Sequence, residues 1–360
     1  MEASSVVSRV GSSLGGPARL RRSEVANIVV ITAGVLFTLF ALPSLLSLYW
    51  IDTATAAVIF AVAALGLGVL VGRVGMVSLG QVAVLGLGGW VAARLLFATA
   101  LPYPIVLIMA GLITMVIGTL IGLPALRVSG LYLALVTLML AGAISVVLTD
   151  TNFPNGGKGF LGYNDISVGT PPSIRRPSIA SSDPAFFRYS VIVALLMFIL
   201  ALVHIRGKPG RAWAAIRQSE PAALAAGVNV TVYKMWALAL ASFVTGVAGG
   251  LLGSSSRLLY SYNFPASQSI ILFAVALMGG VYTLYGAVLA GVLLKVIPGL
   301  LTVWNVSNDW ATILFGIGVL QVLTTAPAGI AHQFPRDMAR LGRLIYGLAR
   351  RAAPAGGRGR

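Results

Sequence analysis

The sequence predicts an all-α polytopic membrane protein with about ten transmembrane helices. Three observations carry the prediction. Of the 360 residues 58% are hydrophobic and only 9% are charged. Mean hydropathy is +0.94. The apolar residues also fall in long uncharged runs. A soluble globular domain carries about 25% charged residues, and a spanning helix needs about 20 apolar ones.

In chain order, the first 24 residues hold Arg9, Arg19, Arg21 and Arg22 against Glu2 and Glu24, and the apolar run 26–48 follows. That run is longer than a signal-peptide core and has no clear small-residue cleavage site, so it reads as a retained span behind a cytoplasmic tail, 1–25. Further runs lie at 54–72, 76–97, 104–124, 130–149, 188–205, 235–254, 267–281, 285–301 and 310–326. Nine or eleven spans result if 76–97 or 285–301 is re-entrant. The transmembrane domain is 26–326, with an external loop at 150–187 and a cytoplasmic loop at 206–234.

Charge sets the orientation. Alternating from an inside N-terminus, 1–24, Arg73, Arg127, 206–234 and 331–360 sum to +14, the opposite side sums to zero, and Arg94 and Lys295 lie in spans. The asymmetry follows the positive-inside rule with both termini cytoplasmic. The arginines at 175–188 fit least well. The tail 327–360 begins as a basic amphipathic helix, with Phe334, Met338, Leu341, Ile345 and Leu348 at helical spacing, suited to an anionic leaflet. Docking to a partner protein is the alternative for this helix. Its last residues, 352–360, have a disordered composition.

Many of the 42 glycines sit within the spans, as Gly68-x-x-x-Gly72, Gly118-x-x-x-Gly122, Gly246-x-x-x-Gly250 and Gly249-x-x-x-Gly253. Such spacing lets helix backbones approach closely in lipid. The sharper reading is that the Gly-rich stretch 75–89 is broken or mobile at a substrate path.

Composition excludes several functions. Cysteine is absent, which removes disulfides, thiolate nucleophiles and Cys-ligated metal sites, and 2 histidines with 9 acidic residues leave little for acid–base chemistry. A net charge of +16 is a matter of topology here and does not point to nucleic acid. No acidic residue falls at a mid-membrane position, which disfavours an ion-coupled carrier. His204 lies at a span end and His332 beyond the last span. Lys295 and Arg94 are the charges within spans, either functional or snorkelling to an interface. Gly157-Lys158 lacks the Ser/Thr and upstream Gly of a phosphate-binding loop. If ATP drives the protein, a separate subunit hydrolyses it. The loop 206–234 would then be its docking surface: Ser219 can cap a short helix, Pro221 suits the first turn, and Gly227 suits a left-handed stop. An ordinary interfacial turn explains the same pattern.

These residues resemble a known family. The stretch from Arg211 through Arg217, Glu220, Ala222 and Ala223 to Gly227 resembles the ATPase-coupling loop of bacterial ATP-binding cassette importer permeases, most closely the M-type branched-chain amino acid permeases. Gly75, Ser78, Gly80 and Gln81 resemble that family's G-x-x-S-L-G-H segment. Arg127, Gly130, Tyr132 and Thr137 resemble L-R-x-x-G-x-Y-x-A-x-x-T-L. Asn155 to Phe160 resembles its external Gly-Gly loop, and Gly279, Gly280, Gly286 and Gly291 resemble G-G-x-G-T-x-x-G-P-x-x-G-A. The matches span roughly 55–325. Gln81 stands in place of His, Tyr282 in place of Gly, Ala287 in place of Pro, and Pro221 in place of an aliphatic residue. The external loop gains Lys158 and is one residue short.

The resemblance implies the importer permease fold and one half of a pathway for branched-chain amino acids, in a bacterial inner membrane. It implies a homologous permease partner, two cytoplasmic ATPase subunits and a solute-binding protein, with no cofactor and no enzymatic activity in this chain. Urea permeases share most of these landmarks, a sugar-importer permease ranks lower, and an ion-coupled carrier is the rival of another class. Arg211, Arg217, Glu220, Ala222, Ala223 and Gly227 would form the coupling loop, and Ala223→Asp would uncouple or detach the ATPase while sparing membrane insertion. Ser78, Gln81, Tyr132 and Thr137 are candidates for the path lining, although a Ser or Thr in a span more often bonds its own or a neighbouring helix.

Overall fold

The computed structural model describes residues 32–128, 130–150, 174–256, 263–325 and 329–331. The N-terminal tail, most of the external loop with its Gly-Gly motif, and nearly all of the C-terminal tail lie outside them. All regular structure among the described residues is helical.

The described residues 32–46 belong to one unit. It holds α1, the short apolar helix Thr32–Leu45, whose middle turn Phe37–Ala41 is π-helical.

The second unit begins at Ser47. Its membrane-length helices are α2 (Leu48–Val74), α3 (Gln81–Ala98), α4 (Tyr103–Gly122), α5 (Gly130–Asp150) and α6 (Asp183–Arg206). Two amphipathic or short helices follow, α7 (Lys208–Gln218) and α8 (Glu220–Ala225). The unit is completed by α9 (Val230–Ser256), α10 (Ala266–Gly279), α11 (Leu284–Val303) and α12 (Asp309–Thr325). Seven helices among the described residues are long and apolar enough to cross a membrane: α2, α3, α4, α5, α6, α9 and α11. The shorter α1, α10 and α12 occupy the other three predicted runs. Both segments weighed as re-entrant, α3 and α11, have spanning length.

The core lies where α2, α3 and α9 meet. Ile59, Val62, Ala63 and Leu67 of α2, Val82 and Leu85 of α3, and Ala237, Val244, Ala248 and Leu251 of α9 are essentially inaccessible. Around them, α4, α5, α6 and α11 expose much of their apolar surface. In lipid, apolar side chains gain little by leaving the solvent, so close backbone approach holds the inner helices together. The glycine spacing supplies it. Gly246 and Gly250 of α9 face Thr114 and Leu107 of α4, Gly249 faces the α3 backbone, and Gly118 and Gly122 of α4 face Ser242 and Leu238.

At one end of the bundle Arg176 pairs with Asp183 and donates from Nε to the Ser254 carbonyl at 3.1 Å and from Nη2 to the Ser255 carbonyl at 3.3 Å. Its guanidinium also lies 4.7 Å from the Phe186 ring centroid. The pairing offsets one of the positive charges that fitted the topology least well. Within the spans, Arg94 is 2% exposed, and the Lys295 ammonium sits 4.2 Å from the Phe60 ring centroid. Arg94 is thus buried one turn from the end of α3, and Lys295 is half-buried against α2.

Candidate functional site

The corner formed by α7 and α8 is built by three fixings. On α7, Ala212, Trp213 and Ile216 recur at helical spacing and are buried, while Arg211, Ala214 and Arg217 are exposed. Trp213 is fully buried and its indole Nε1 donates to the Tyr233 carbonyl at 2.8 Å. This bond pins α7 to the first turn of α9. Arg217 then donates from Nη1 to the Gly72 carbonyl at 2.7 Å, at the end of α2. Glu220 accepts from Lys234 of α9 at 2.6 Å, which holds the first turn of α8 against the bundle.

Both ends of α8 are chemically specified. The Ala222 amide donates to the Ser219 hydroxyl at 3.4 Å, Pro221 sits in the first turn, and Glu220 complements the positive helix start. At the other end Gly227 has φ of +79°. The amides of Gly227 and Val228 donate to the carbonyls of Leu224 and Ala223, each at 2.9 Å, which is a Schellman stop. A side chain at 227 would strain it. Gly227→Val is expected to cost about 1–2 kcal/mol at this turn, read as faster hydrogen exchange at the 226–228 amides with global melting little changed.

Capping orients a small exposed face. Pro221, Ala222, Leu224, Ala225 and Ala226 are exposed, with Leu224 at 59%, whereas Ala223 is 2% exposed and belongs to the core cluster. The side open to a partner is therefore the broad one opposite Ala223, with Pro221 and Ala225 at its middle and Ala222 and Leu224 on its two flanks. Ala223 and Arg217, two of the predicted contact residues, point their side-chain contacts at the chain itself. Arg211 is exposed on α7. The predicted loop 206–234 is thus two helices, and α9 begins five residues before the expected 235. Trp213, Lys234 and the reach of Arg217 were missed. The spacing of Ala212, Trp213 and Ile216 was the available signal for the buried side of α7.

A second constellation surrounds a break in the helices. α2 ends in a π-helical turn, Gly68–Val74, and Gly75 at φ of +83° stops it. Residues 75–80 are irregular before α3 begins at Gln81. Irregular backbone at membrane depth is tolerated where protein satisfies it. Here the Leu79 amide donates to Thr137 Oγ1 at 2.9 Å, the Gly80 amide to Ser78 Oγ at 3.4 Å, and the Val82 amide to Ser269 Oγ at 3.1 Å. The Gln81 amide group donates to Thr245 Oγ1. The structure therefore brings Ser78, Gln81 and Thr137 together, all buried, with Thr245 and Ser269 as partners the sequence did not single out. Tyr132 is separate from this group. It is 73% exposed beside Leu131 and Leu135, because five residues along α5 place it on a different face from Thr137. The Gly-rich stretch 75–89 accordingly has two parts, a break at 75–80 and a helix from 81 in which Gly86 and Gly88 provide close packing. Among the described residues no three His, Asp or Glu side chains come together as a metal ion would require.

Comparison with known proteins places the chain in one class, the membrane permease. The family model described as branched-chain amino acid transport system / permease component matches residues 49–323, and the chain belongs to that family. It is 28% identical to the high-affinity branched-chain amino acid transport system permease protein LivM of Salmonella typhimurium, over 81% of this chain and 72% of the relative. The Escherichia coli protein of the same description is also 28% identical, with the same coverage. A probable branched-chain amino acid transport permease protein LivM of Methanocaldococcus jannaschii is 23% identical over 64% of this chain and 68% of its own. No solved structure matches the chain.

Proposed function

We propose that the chain forms half of the transmembrane pathway of an ATP-binding cassette importer for branched-chain amino acids. The observation that carries the reading is the capped helix α8, which presents Ala222 and Leu224 on a corner fixed to α2 and α9, in a chain matched by the permease family over 49–323. Two ATPase subunits would engage that corner from the cytoplasm. Arg211 would flank the contact, Glu220 and Gly227 would hold its shape, and Ala223 and Arg217 would tie it to the bundle. A homologous permease would complete the pathway and a solute-binding protein would deliver the solute. Both termini are cytoplasmic in this reading, and α1, α10 and α12 complete ten spans of a bacterial inner-membrane protein. ATP is bound by the partners and the chain itself carries no cofactor.

The break at 75–80 would border the path. Irregular backbone that lines a cavity offers polar groups to a solute without placing a charge in lipid. Ser78, Gln81 and Thr137 hold that break in shape, and the outward-facing Tyr132 takes no part in it. Apolar walls with few polar contacts suit a leucine, isoleucine or valine side chain.

Uptake of labelled leucine and labelled urea, in cells with and without the gene, tests the reading. Selective loss of leucine uptake on deletion is the expected result. Selective loss of urea uptake would keep the importer architecture and overturn the solute.

A further inference from the structure

Arg217 joins three elements that have no other polar link to the α7–α8 corner among the bonds described above. Its Nη1 donates to the Gly72 carbonyl at 2.7 Å, within the π-helical last turn of α2. Its guanidinium carbon lies 4.4 Å from the Tyr282 ring centroid, in the turn between α10 and α11. A side chain on Gly75, the residue that starts the break, would meet Arg217 Cγ at 3.4 Å. The joint is closed from the other side as well. A methyl group on Gly72 would fall 2.9 Å from the Val281 carbonyl carbon, so the end of α2 and the 280–283 turn already touch backbone to backbone.

The chemistry suits a strut. The last carbonyls of a helix lack intrahelical donors, and a cation at that end also meets the negative pole of the helix dipole. A guanidinium can donate to the carbonyl and lie over the aromatic ring at once. Arg217 is in the last turn of α7, two residues before the Ser219 cap of α8, and α7 is pinned by Trp213. A displacement of α8 therefore has a direct polar route to the end of α2 through the Arg217 side chain. The turn it grips is π-helical, a form that occurs as short bulges, often at functional sites.

We propose that Arg217 is the positioning residue that transmits movement of α8 to the break at 75–80, through the Gly72 carbonyl and the Tyr282 ring. The proposal rests on the reading of α8 as the ATPase-docking helix. It assigns transmission to a residue whose side chain is committed to its own chain, so docking and transmission are separable.

The test uses the complete complex in liposomes: both permeases, the ATPase subunits and the binding protein loaded with leucine. For Arg217→Ala the expected result is retained ATPase subunits and a loss of about tenfold in both binding-protein-stimulated hydrolysis and uptake. Tyr282→Leu should lose a smaller part of the same stimulation. Arg217→Lys should recover part of it, because an ammonium reaches one carbonyl without the planar stacking. Wild-type stimulation and uptake in Arg217→Ala overturn the proposal, as does loss of the ATPase subunits from that variant. If Arg217→Ala fails to insert, wild-type stimulation in Tyr282→Leu overturns it instead. A wild-type chain that retains no ATPase subunits would overturn the underlying reading of α8, an outcome distinct from failure of the strut.

Discussion

Gly249→Val is expected to remove the folded protein, seen as a collapse of the monodisperse yield in detergent and of the thermal transition. A Cβ at Gly249 would lie 2.6 Å from the Gly89 nitrogen and 3.0 Å from the Gly88 carbonyl carbon. The obstacle is backbone of α3, which cannot rotate away as a side chain does. Gly88 faces the backbone of Gly246 in the same seam, so α3 and α9 would have to separate along the contact. Overpacking a core costs about 1–3 kcal/mol where side chains absorb it, and here the cost should exceed that range. The control is Gly142→Ala on α5, where nothing lies within 4 Å and a small gain in helix propensity is the expected effect.

Leu224→Asp is the second large expected effect. It places a carboxylate on the exposed side of α8, where the large apolar side chain is 59% open, and should leave insertion and melting unchanged. Loss of an apolar contact at an interface centre costs about 2 kcal/mol or more. The ATPase subunits should therefore dissociate during purification, and uptake should fall by at least about tenfold. Ala223→Asp should also abolish transport, but by another route. That position is 2% exposed, so the new carboxylate would be buried without a partner and α8 would open. Hydrogen exchange across 219–228 separates the two: unchanged for Leu224→Asp, accelerated for Ala223→Asp. If Leu224→Asp keeps its ATPase subunits and wild-type uptake, α8 is not the docking helix.

The contrast between neighbouring residues 223 and 224 marks how far the sequence could be read. Ser219, Pro221 and Gly227 specify α8 locally, because caps and left-handed stops act over a few residues. Which side of α8 faces outward depends on Trp213 bonding the Tyr233 carbonyl and Lys234 bonding Glu220, contacts between helices separated by a turn. The path candidates behave likewise. Ser78, Gln81 and Thr137 meet because α5 lies against the start of α3, and Tyr132 is excluded by its position around the same helix. Two of the residues that hold the break, Thr245 and Ser269, carry no local signature, since a single hydroxyl in a span resembles any other.

By itself the sequence determined the all-helical membrane class, the order of the ten apolar segments, the capped helix in the basic loop and the likeness to branched-chain permeases. Each of these follows from hydropathy runs, charge counts or short-range motifs, which are properties of contiguous residues. Only the tertiary structure decided that α2, α3 and α9 are the inner helices and that hydroxyls of Thr137, Thr245 and Ser269, from three other helices, hold Leu79 and the first residues of α3. It also set the exposed Arg217 within hydrogen-bond reach of the end of α2. Those facts rest on pairings between residues up to 187 positions apart, such as Val82 with Ser269, and such pairings exist only once the helices have packed.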